Sequence, residues 1–438
     1  MKHKSRIAAL MVVSLIAVAC SDSGSDTKST DATETTIASD STSSATTVPT
    51  GETRTFKIGY AYQDVSAFAI LSKKFSLGDI ELQAQSVLEA WRRDGLLPPG
   101  IDIELVFAKF NTLSPDDILG ACNKLAQDEG VFAVIASRDF GIGSQCLAER
   151  FGIPTISSQG MSTSAYERGA PWLFSVQPTE SQALLSFVEW ANAKGALTGK
   201  KVGIYWDTRS EEAADDLKAA LAELGVEVAS DLPSDGEGIG SPQDAIVVQR
   251  FVADGVDLPV LMVGTSSVTS FLAVSEQQGY DPDLLWFEWA SQLNDVSADA
   301  LPQTLLDGLQ AMTFSRVGEL AAGIPSNAAA QTCIDNYQTF AGEDVNEEVP
   351  ASAATGQLLF TCDLMSILLE GLKNAGTDPT PESLVAGYEM INNLEMAWWG
   401  PVSYSADKHA GVDQVRTITW GTDCGCWTAE GEFASPAP

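Results

Sequence analysis

The chain is 438 residues long, and its 59 Asp and Glu against 25 Lys and Arg give a formal net charge of −34. A surface this acidic repels phosphate backbones, which excludes nucleic acid as a partner. With two histidines, His3 and His409, a His-rich zinc site is excluded, and a Ser-His-Asp or Cys-His catalytic set would have to draw on that pair.

The first residues carry Lys2, Lys4 and Arg6, and 7–18 is apolar apart from Ser14. About a dozen apolar residues are too few to span a bilayer core, which needs about 20. The pattern reads as a secretory signal peptide over 1–19. Ala17-Val18-Ala19-Cys20 resembles a bacterial lipobox. That resemblance implies that Cys20 becomes the mature N-terminus, takes lipid on its thiol and holds the chain on the outer face of the cell membrane. Ordinary secretion with cleavage after Ala19 is the plainer alternative. Cleavage would remove His3 and three positive charges, taking the net charge from −34 to −37. From 20 to 53, Ser, Thr and Asp leave almost nothing apolar to bury, so a disordered tether is expected.

The remaining chain, from 54 to 438, exceeds one comfortable core, which favours two lobes. It opens with a strand over 56–60. Helical spacing follows over 78–94, carried by Ile80, Leu82, Val87, Leu88 and Trp91. Residues 101–109 alternate as a strand. Ser114 is placed to cap a helix whose first residue is Pro115, with acids in the first turn. A continuous apolar strand over 131–136 suggests a sheet covered on both faces. A helix near 145–150 and a strand at 155–157 complete a strand-helix alternation, the mark of a parallel α/β sheet. The pattern restarts after Pro178 with a helix over 180–193, a strand over 201–206 and a helix over 211–224 closed by Gly225. A helix over 241–254, capped at Ser241, a strand over 258–263, a helix over 267–278 and a strand over 285–287 follow. Helices are expected near 331–340, 353–375 and 381–390, and 414–433 reads as strand.

Six cysteines follow Cys20, and in an oxidising compartment disulfides are expected, although six cysteines allow 15 pairings. Cys122 and Cys146 are close in sequence, as are Cys333 and Cys362. Cys424 and Cys426 flank Gly425, whose freedom could bend the chain enough to bridge them; a metal pair is the rival, but no further ligand cluster lies near. His409 in SADKHAGVDQ reads as a solvated loop residue. Ser405 and Lys408 match Ser-x-x-Lys by chance, because no Ser-Asp-Asn or Lys-Thr-Gly follows. Gly141-Ile-Gly143 is half of a dinucleotide fingerprint, and no cofactor is expected.

In doubly wound sheets ligands bind beyond the carboxyl ends of the strands. Those ends carry Tyr62-Gln63, Ser137-Arg138-Asp139, the loop from Ser158 to Ser162, Trp206-Asp207-Thr208, Gly264-Thr-Ser266 and Glu288-Trp289. The candidate ligand-binding residues are Tyr62, Arg138, Gln159, Gly160, Ser162, Asp207 and Glu288. Hydroxyls, opposite charges and aromatic faces together suit a small polar or zwitterionic molecule; ordinary strand-end loops are the plain alternative.

The stretch CNKLAQDEGVFAVIASRDFGIGSQCLAERFGIPTIS has a cysteine late in one helix, a strand, a cysteine in the next helix, then GIP and a strand. This layout resembles type 1 periplasmic binding proteins, in the branched-chain amino acid branch of ABC-transporter substrate-binding proteins, over about 56–433. The resemblance implies a Cys122–Cys146 disulfide. It also implies an α/β fold of two lobes, each a mostly parallel sheet flanked by helices, joined by crossovers at RGAPWLFSVQPTESQ, LLDGLQAMTFSR and WWGPVSY. Lobe one would be 54–176 plus 312–400, and lobe two 177–311 plus 401–438. A ligand would be clamped between them, its carboxylate on the loop 158–162 and its ammonium end near Glu288. This chain has Arg138 where relatives often show serine. It has Glu211-Glu212 where many carry Tyr-Gly a few residues beyond the aspartate matching Asp207. An amide, short peptide, urea-like compound or anion is therefore open. The expected protein is a monomeric, lipid-anchored receptor, without enzymatic activity, that delivers its solute to an ABC permease. A sensor for a membrane partner and an extracytoplasmic hydrolase are the alternatives.

Overall fold

Parallel pairing between short apolar strands organises the chain in a computed structural model describing residues 53–65, 76–234, 242–289, 293–299, 301–345, 349 and 352–436. The expected signal peptide, Cys20, nearly all of the tether and the Ser241 cap lie outside these residues.

The first sheet comprises β1 (Arg54–Gln63), β2 (Ile101–Phe110), β3 (Ala133–Ala136), β4 (Thr155–Ser157) and β5 (Leu173–Ser175), parallel throughout in the order β2-β1-β3-β4-β5. Side-chain alternation sends Ala133 and Ile135 to one core and Val134 and Ala136 to another, so the sheet is buried on both faces. Helix α1 (Ile80–Asp94) is capped by Asp79, which accepts from Leu82 N–H. The Ser114 cap is present: its Oγ accepts from Asp117 N–H at 3.2 Å and opens α2 (Pro115–Asn123). Both α2 and α3 (Gly141–Gln145) run on into a wide π turn, and the Cys122–Cys146 disulfide joins them. α4 (Thr163–Gly169) links β4 to β5.

Beyond β5 the chain forms α5 (Glu180–Ala193), β6 (Lys201–Asp207), α6 (Glu211–Glu223), β7 (Glu227–Ser234), α7 (Pro242–Asp254), β8 (Leu258–Met262), α8 (Thr265–Gln278), β9 (Leu285–Phe287), α9 (Asp295–Asp299) and β10 (Gln310–Thr313). β6 lies between β7 and β8 in a parallel second sheet. α10 (Ala328–Ala341) and α11 (Ala353–Ala375) then return to α1 and the first sheet, where the Cys333–Cys362 disulfide ties them together. α12 (Pro381–Glu389) packs on α11. β11 (Val415–Gly421) and β12 (Cys426–Ala434) complete a third sheet, ordered β12-β11-β10-β9. One apolar cluster runs from Ile58 and Phe174 through Phe187 to Ile204 and Leu217, and a second gathers Phe251, Phe271, Trp286, Trp420 and Trp427. Among the described residues, no helix is long and apolar enough to cross a membrane.

The mostly parallel α/β class is as expected, with antiparallel pairing confined to β10–β11 and β11–β12 of the third sheet. Several finer expectations need correction. The single strand read over 414–433 is a hairpin, because its turn holds Cys424–Cys426 with Gly425 at φ +60°. β10 occupies a segment read as a crossover. β7, with its polar sequence and Pro233, escaped a reading that relied on apolar alternation. His409 is half-buried, not solvated. Its ring stacks on Phe174 at 3.9 Å, and Nε2 lies 3.1 Å from a Glu389 oxygen. The cause is backbone pairing beside β5: Ser175 N–H donates to His409 O, and Val412 N–H to Val176 O, each at 2.9 Å. Ser405 and Lys408 exchange backbone hydrogen bonds across a tight turn.

Behind the sheets, Asp363 on α11 accepts the N–H groups of Ala397, Trp398 and Trp399. This anchors WWGPVSY, while Arg316 N–H donates to Trp398 O at 2.7 Å and Gly400 N–H to Phe314 O at 2.8 Å. Residues 314–316 and 398–400 therefore lie side by side as a hydrogen-bonded ribbon.

Candidate functional site at the facing strand ends

The carboxyl end of β3 turns sharply. Ser137 N–H donates to Ala61 O at 2.9 Å, and Asp139 takes a left-handed conformation at φ +61°. Gln159, from the loop after β4, holds that turn: its Oε1 accepts Asp139 N–H at 2.9 Å and its Nε2 donates to Asp139 Oδ1 at 3.3 Å. The loop is lashed to the segment between β5 and α5, since Gln177 N–H donates to Ser158 O and Glu180 N–H to Met161 O. Only glycine fits at 160, because a Cβ there would lie 1.7 Å from Pro178 O. Ser162 caps α4 by accepting from Ala165 N–H. Gly160 and Ser162 thus shape the loop.

Opposite stand the ends of β6 and β9. Asp207 grips Arg209 through Nε at 2.9 Å and Nη2 at 2.6 Å, and it also accepts Arg209 N–H at 2.9 Å. Burial would raise Asp207, but these Arg209 donors hold its carboxyl below the usual range. Glu288 accepts from the Thr313 hydroxyl at 2.7 Å and the Ser315 hydroxyl at 3.4 Å. Burial still pushes it up to about 7, against the pull of Thr313 and Arg138.

Charge attraction links the two sides. Arg138 acts on Glu288, and Arg209 acts on Asp139. Desolvation raises the Asp139 carboxyl, against the pull of Gln159, Arg138 and Arg209. The two sets of strand ends thus form one charged cluster. At its edge both Glu212 oxygens accept from Ser164 N–H at 3.3 Å, joining the start of α6 to the start of α4. Burial raises Glu212, but the Ser164 and Thr163 donors lower it further.

Of the expected residues, Arg138, Gln159, Asp207 and Glu288 therefore converge, with Gly160 and Ser162 framing one wall. Tyr62 points elsewhere: its hydroxyl donates to Glu81 on α1 at 2.5 Å. The sequence reading missed Arg209, Glu180 and Phe360, whose ring lies under the Arg138 guanidinium at 4.9 Å, and saw Glu212 as a departure alone. Arg209 was within reach, two residues beyond Asp207. Phe360 was not, because an aromatic residue in the apolar run of α11 carries no sign of a polar partner. Four buried polar atoms at or beside these strand ends lack hydrogen-bond partners: Ser137 Oγ, Ser158 Oγ, Arg138 Nε and Glu180 Oε2. Fixed charges of both signs brought together at these strand ends suit reversible capture of a small dipolar molecule.

A family model described as periplasmic binding protein matches residues 55–424. No curated protein sequence matches the chain. The chain is similar to a solved branched-chain amino acid ABC transporter protein from Thermus thermophilus with bound valine, at 13% identity and a TM-score of 0.66, covering 88% of this chain and 97% of that one. It is similar to a fatty acid ABC transporter substrate-binding protein from Thermomonospora curvata, at 18% identity and a TM-score of 0.66, covering 88% and 94%. It also resembles an ABC transporter solute binding protein from Rhodopseudomonas palustris in complex with 3,4-dihydroxybenzoic acid, at 18% identity and a TM-score of 0.64, covering 88% and 98%.

Proposed function

The chain belongs to the periplasmic binding protein family, and from that premise we propose that it is an extracytoplasmic receptor that captures a small polar solute between two lobes and delivers it to an ABC-type permease. The observation that carries this reading is the convergence of Arg138 and Gln159 from one set of strand ends on Asp207 and Glu288 from the other, around unpartnered polar atoms. The first sheet with α1, α10 and α11 is one lobe, and the second and third sheets with their helices are the other. Their three connecting segments act as the hinge. Solute bound in the cleft touches both walls, so it favours the closed form over the open one.

The three disulfides suit an oxidising compartment. Cys20 is the lipid attachment point, residues 20–53 are the tether, and the receptor works as a monomer. Relatives bind ligands as different as valine, a fatty acid and 3,4-dihydroxybenzoic acid, so the lobe arrangement leaves solute choice to the cleft side chains.

The test is a thermal-shift screen of amino acids, amides, polyols and aromatic acids, followed by small-angle scattering. A bound solute at 100 times its Kd stabilises the fold by about 2.7 kcal/mol and raises Tm by a few degrees. It also reduces the radius of gyration and is recovered chemically unchanged. A panel that leaves Tm unmoved, or a solute that is turned over, refutes the proposal.

A further inference from the structure

We propose that the Cys424–Cys426 disulfide is a thiol-exchange site, open to a small uncharged dithiol while the chain stays folded. The proposal does not rest on the receptor reading. The bridge sits at the tip of the β11–β12 hairpin and joins cysteines 2 residues apart. Cys424 is exposed, and Cys426 is buried behind it. The other two bridges are covered. Cys122, Cys333 and Cys362 are buried, and Cys146 is half-buried against the cluster that holds Phe140 and Leu147. Exchange needs a thiolate to reach a sulfur, so exposure selects Cys424. A covered bridge reacts only when the fold opens around it.

The hairpin keeps its shape without the bridge. Gly425 turns the chain at φ +60°, a conformation glycine adopts without help. Below the turn Gly421 pairs with Cys426 and Trp420 with Trp427, and both tryptophans are buried. Trp427 N–H donates to Asp295 Oδ1 and Trp420 Nε1 to Gln303 Oε1, each at 2.9 Å. Opening a loop this short frees little chain. Thr313, whose hydroxyl binds Glu288, pairs with Arg416, whereas Gly421 ends the same strand on the far side. Reduction should therefore leave the Glu288 end of the sheet unchanged.

Charge decides which thiol reacts. Asp423 adjoins Cys424, and Asp299 Oδ1 lies 3.5 Å from where a Cβ on Gly425 would stand. Asp307 accepts from the Thr422 hydroxyl at 2.8 Å. Residues 417–438 contain no Lys or Arg. The attacking thiolate is already an anion, and a second negative charge on the reagent is repelled here. In the reaction, one thiolate of the dithiol bonds to Cys424 Sγ, the bond to Cys426 breaks, and Cys426 leaves as a thiolate that takes up a proton. The second thiolate of the reagent then displaces Cys424 Sγ, which is protonated in turn, and closes a cyclic disulfide. Two electrons pass to the protein, and the two protons given up by the dithiol are balanced by the two gained by the cysteines.

The test uses the full chain with free thiols blocked beforehand. Dihydrolipoamide and dihydrolipoate share one dithiol and differ by a carboxylate charge. After timed exposure and quenching with iodoacetamide, peptide mass spectrometry reads which cysteines have opened. With dihydrolipoamide, Cys424 and Cys426 are expected to take label about 100-fold sooner than Cys122, Cys146, Cys333 or Cys362, with the tryptophan emission maximum unmoved. Dihydrolipoate at equal thiolate concentration should react about three- to tenfold more slowly at low salt, and the gap should close as salt is raised. Cys424→Ser together with Cys426→Ser should abolish the fast labelling and leave the slow set as it was. A long-range bridge that opens as fast, or a Cys424–Cys426 bridge that opens only in step with a red shift of the tryptophan emission, overturns the exchange site. Equal rates for the two dithiols at low salt overturn the choice of an uncharged reagent.

Discussion

Glu180 shows what burial does to a single side chain. Burial pushes its carboxyl from the ordinary 4.5 up to about 7, with Asp207 and Glu212 adding repulsion and the Ser210 hydroxyl opposing. Between those two values the folded chain keeps a proton that the unfolded chain has released, so stability falls as pH rises through that window and stays lower above it. Glu180→Gln removes the charge and keeps the size. It should be more stable than wild type at pH 8, by at most about 3 kcal/mol, and equal to it near pH 4.5 and below, measured by urea unfolding at both values. A variant equally destabilised at both pH values would mean that the carboxylate has a structural role its charge state does not alter. Arg138 and Asp207 mark the range of local solutions in the same cleft. One guanidinium has an unmet donor, whereas one carboxylate is saturated by its neighbour two residues on.

At the scale of elements, disulfides and caps divide the work. Cys122–Cys146 and Cys333–Cys362 join helices whose cysteines lie 24 and 29 residues apart, whereas Cys424 and Cys426 are separated by 2. Chain-entropy arguments make a cross-link more stabilising when it closes a longer loop. Replacing either long-range pair with serines should therefore cost about 3 kcal/mol, and replacing the hairpin pair about 1 kcal/mol, by denaturant midpoint. A hairpin pair that proved the most costly of the three would show that the turn, and with it the β11–β12 register, depends on that bond. The helices that were legible, such as α5 and α11, have apolar spacing, a capping residue and length in agreement. The elements that were missed are short or polar. α4 has seven residues, too few for a helical period to emerge, and β5 lies inside the stretch read as a crossover.

For the whole molecule, the proposed lobes close through contacts that cross the cleft. Glu212 on Ser164 N–H is one that no ligand supplies. If the two proposed lobes close on a solute, Glu212→Ala should speed solute release about three- to tenfold, read by stopped-flow dissociation, because the contact spans those lobes. Unchanged release would place the latch elsewhere. The departure from a Tyr-Gly pair at 211–212 thereby gains a physical reading as a wall-to-wall contact. Composition and periodicity by themselves determined the α/β class, the order of most strands and helices, the cysteines available to cross-link and the strand ends that bear polar groups. These follow from local chemistry: which residues alternate, which cap and which break. The tertiary structure alone decided which strand ends face each other, that Tyr62 turns to Glu81, that His409 is packed under Phe174, and that Arg138 lies over a helix residue more than 200 positions away. Such pairings depend on how sheets and helices stack in space, and side chains brought together from distant segments leave no pattern along the chain.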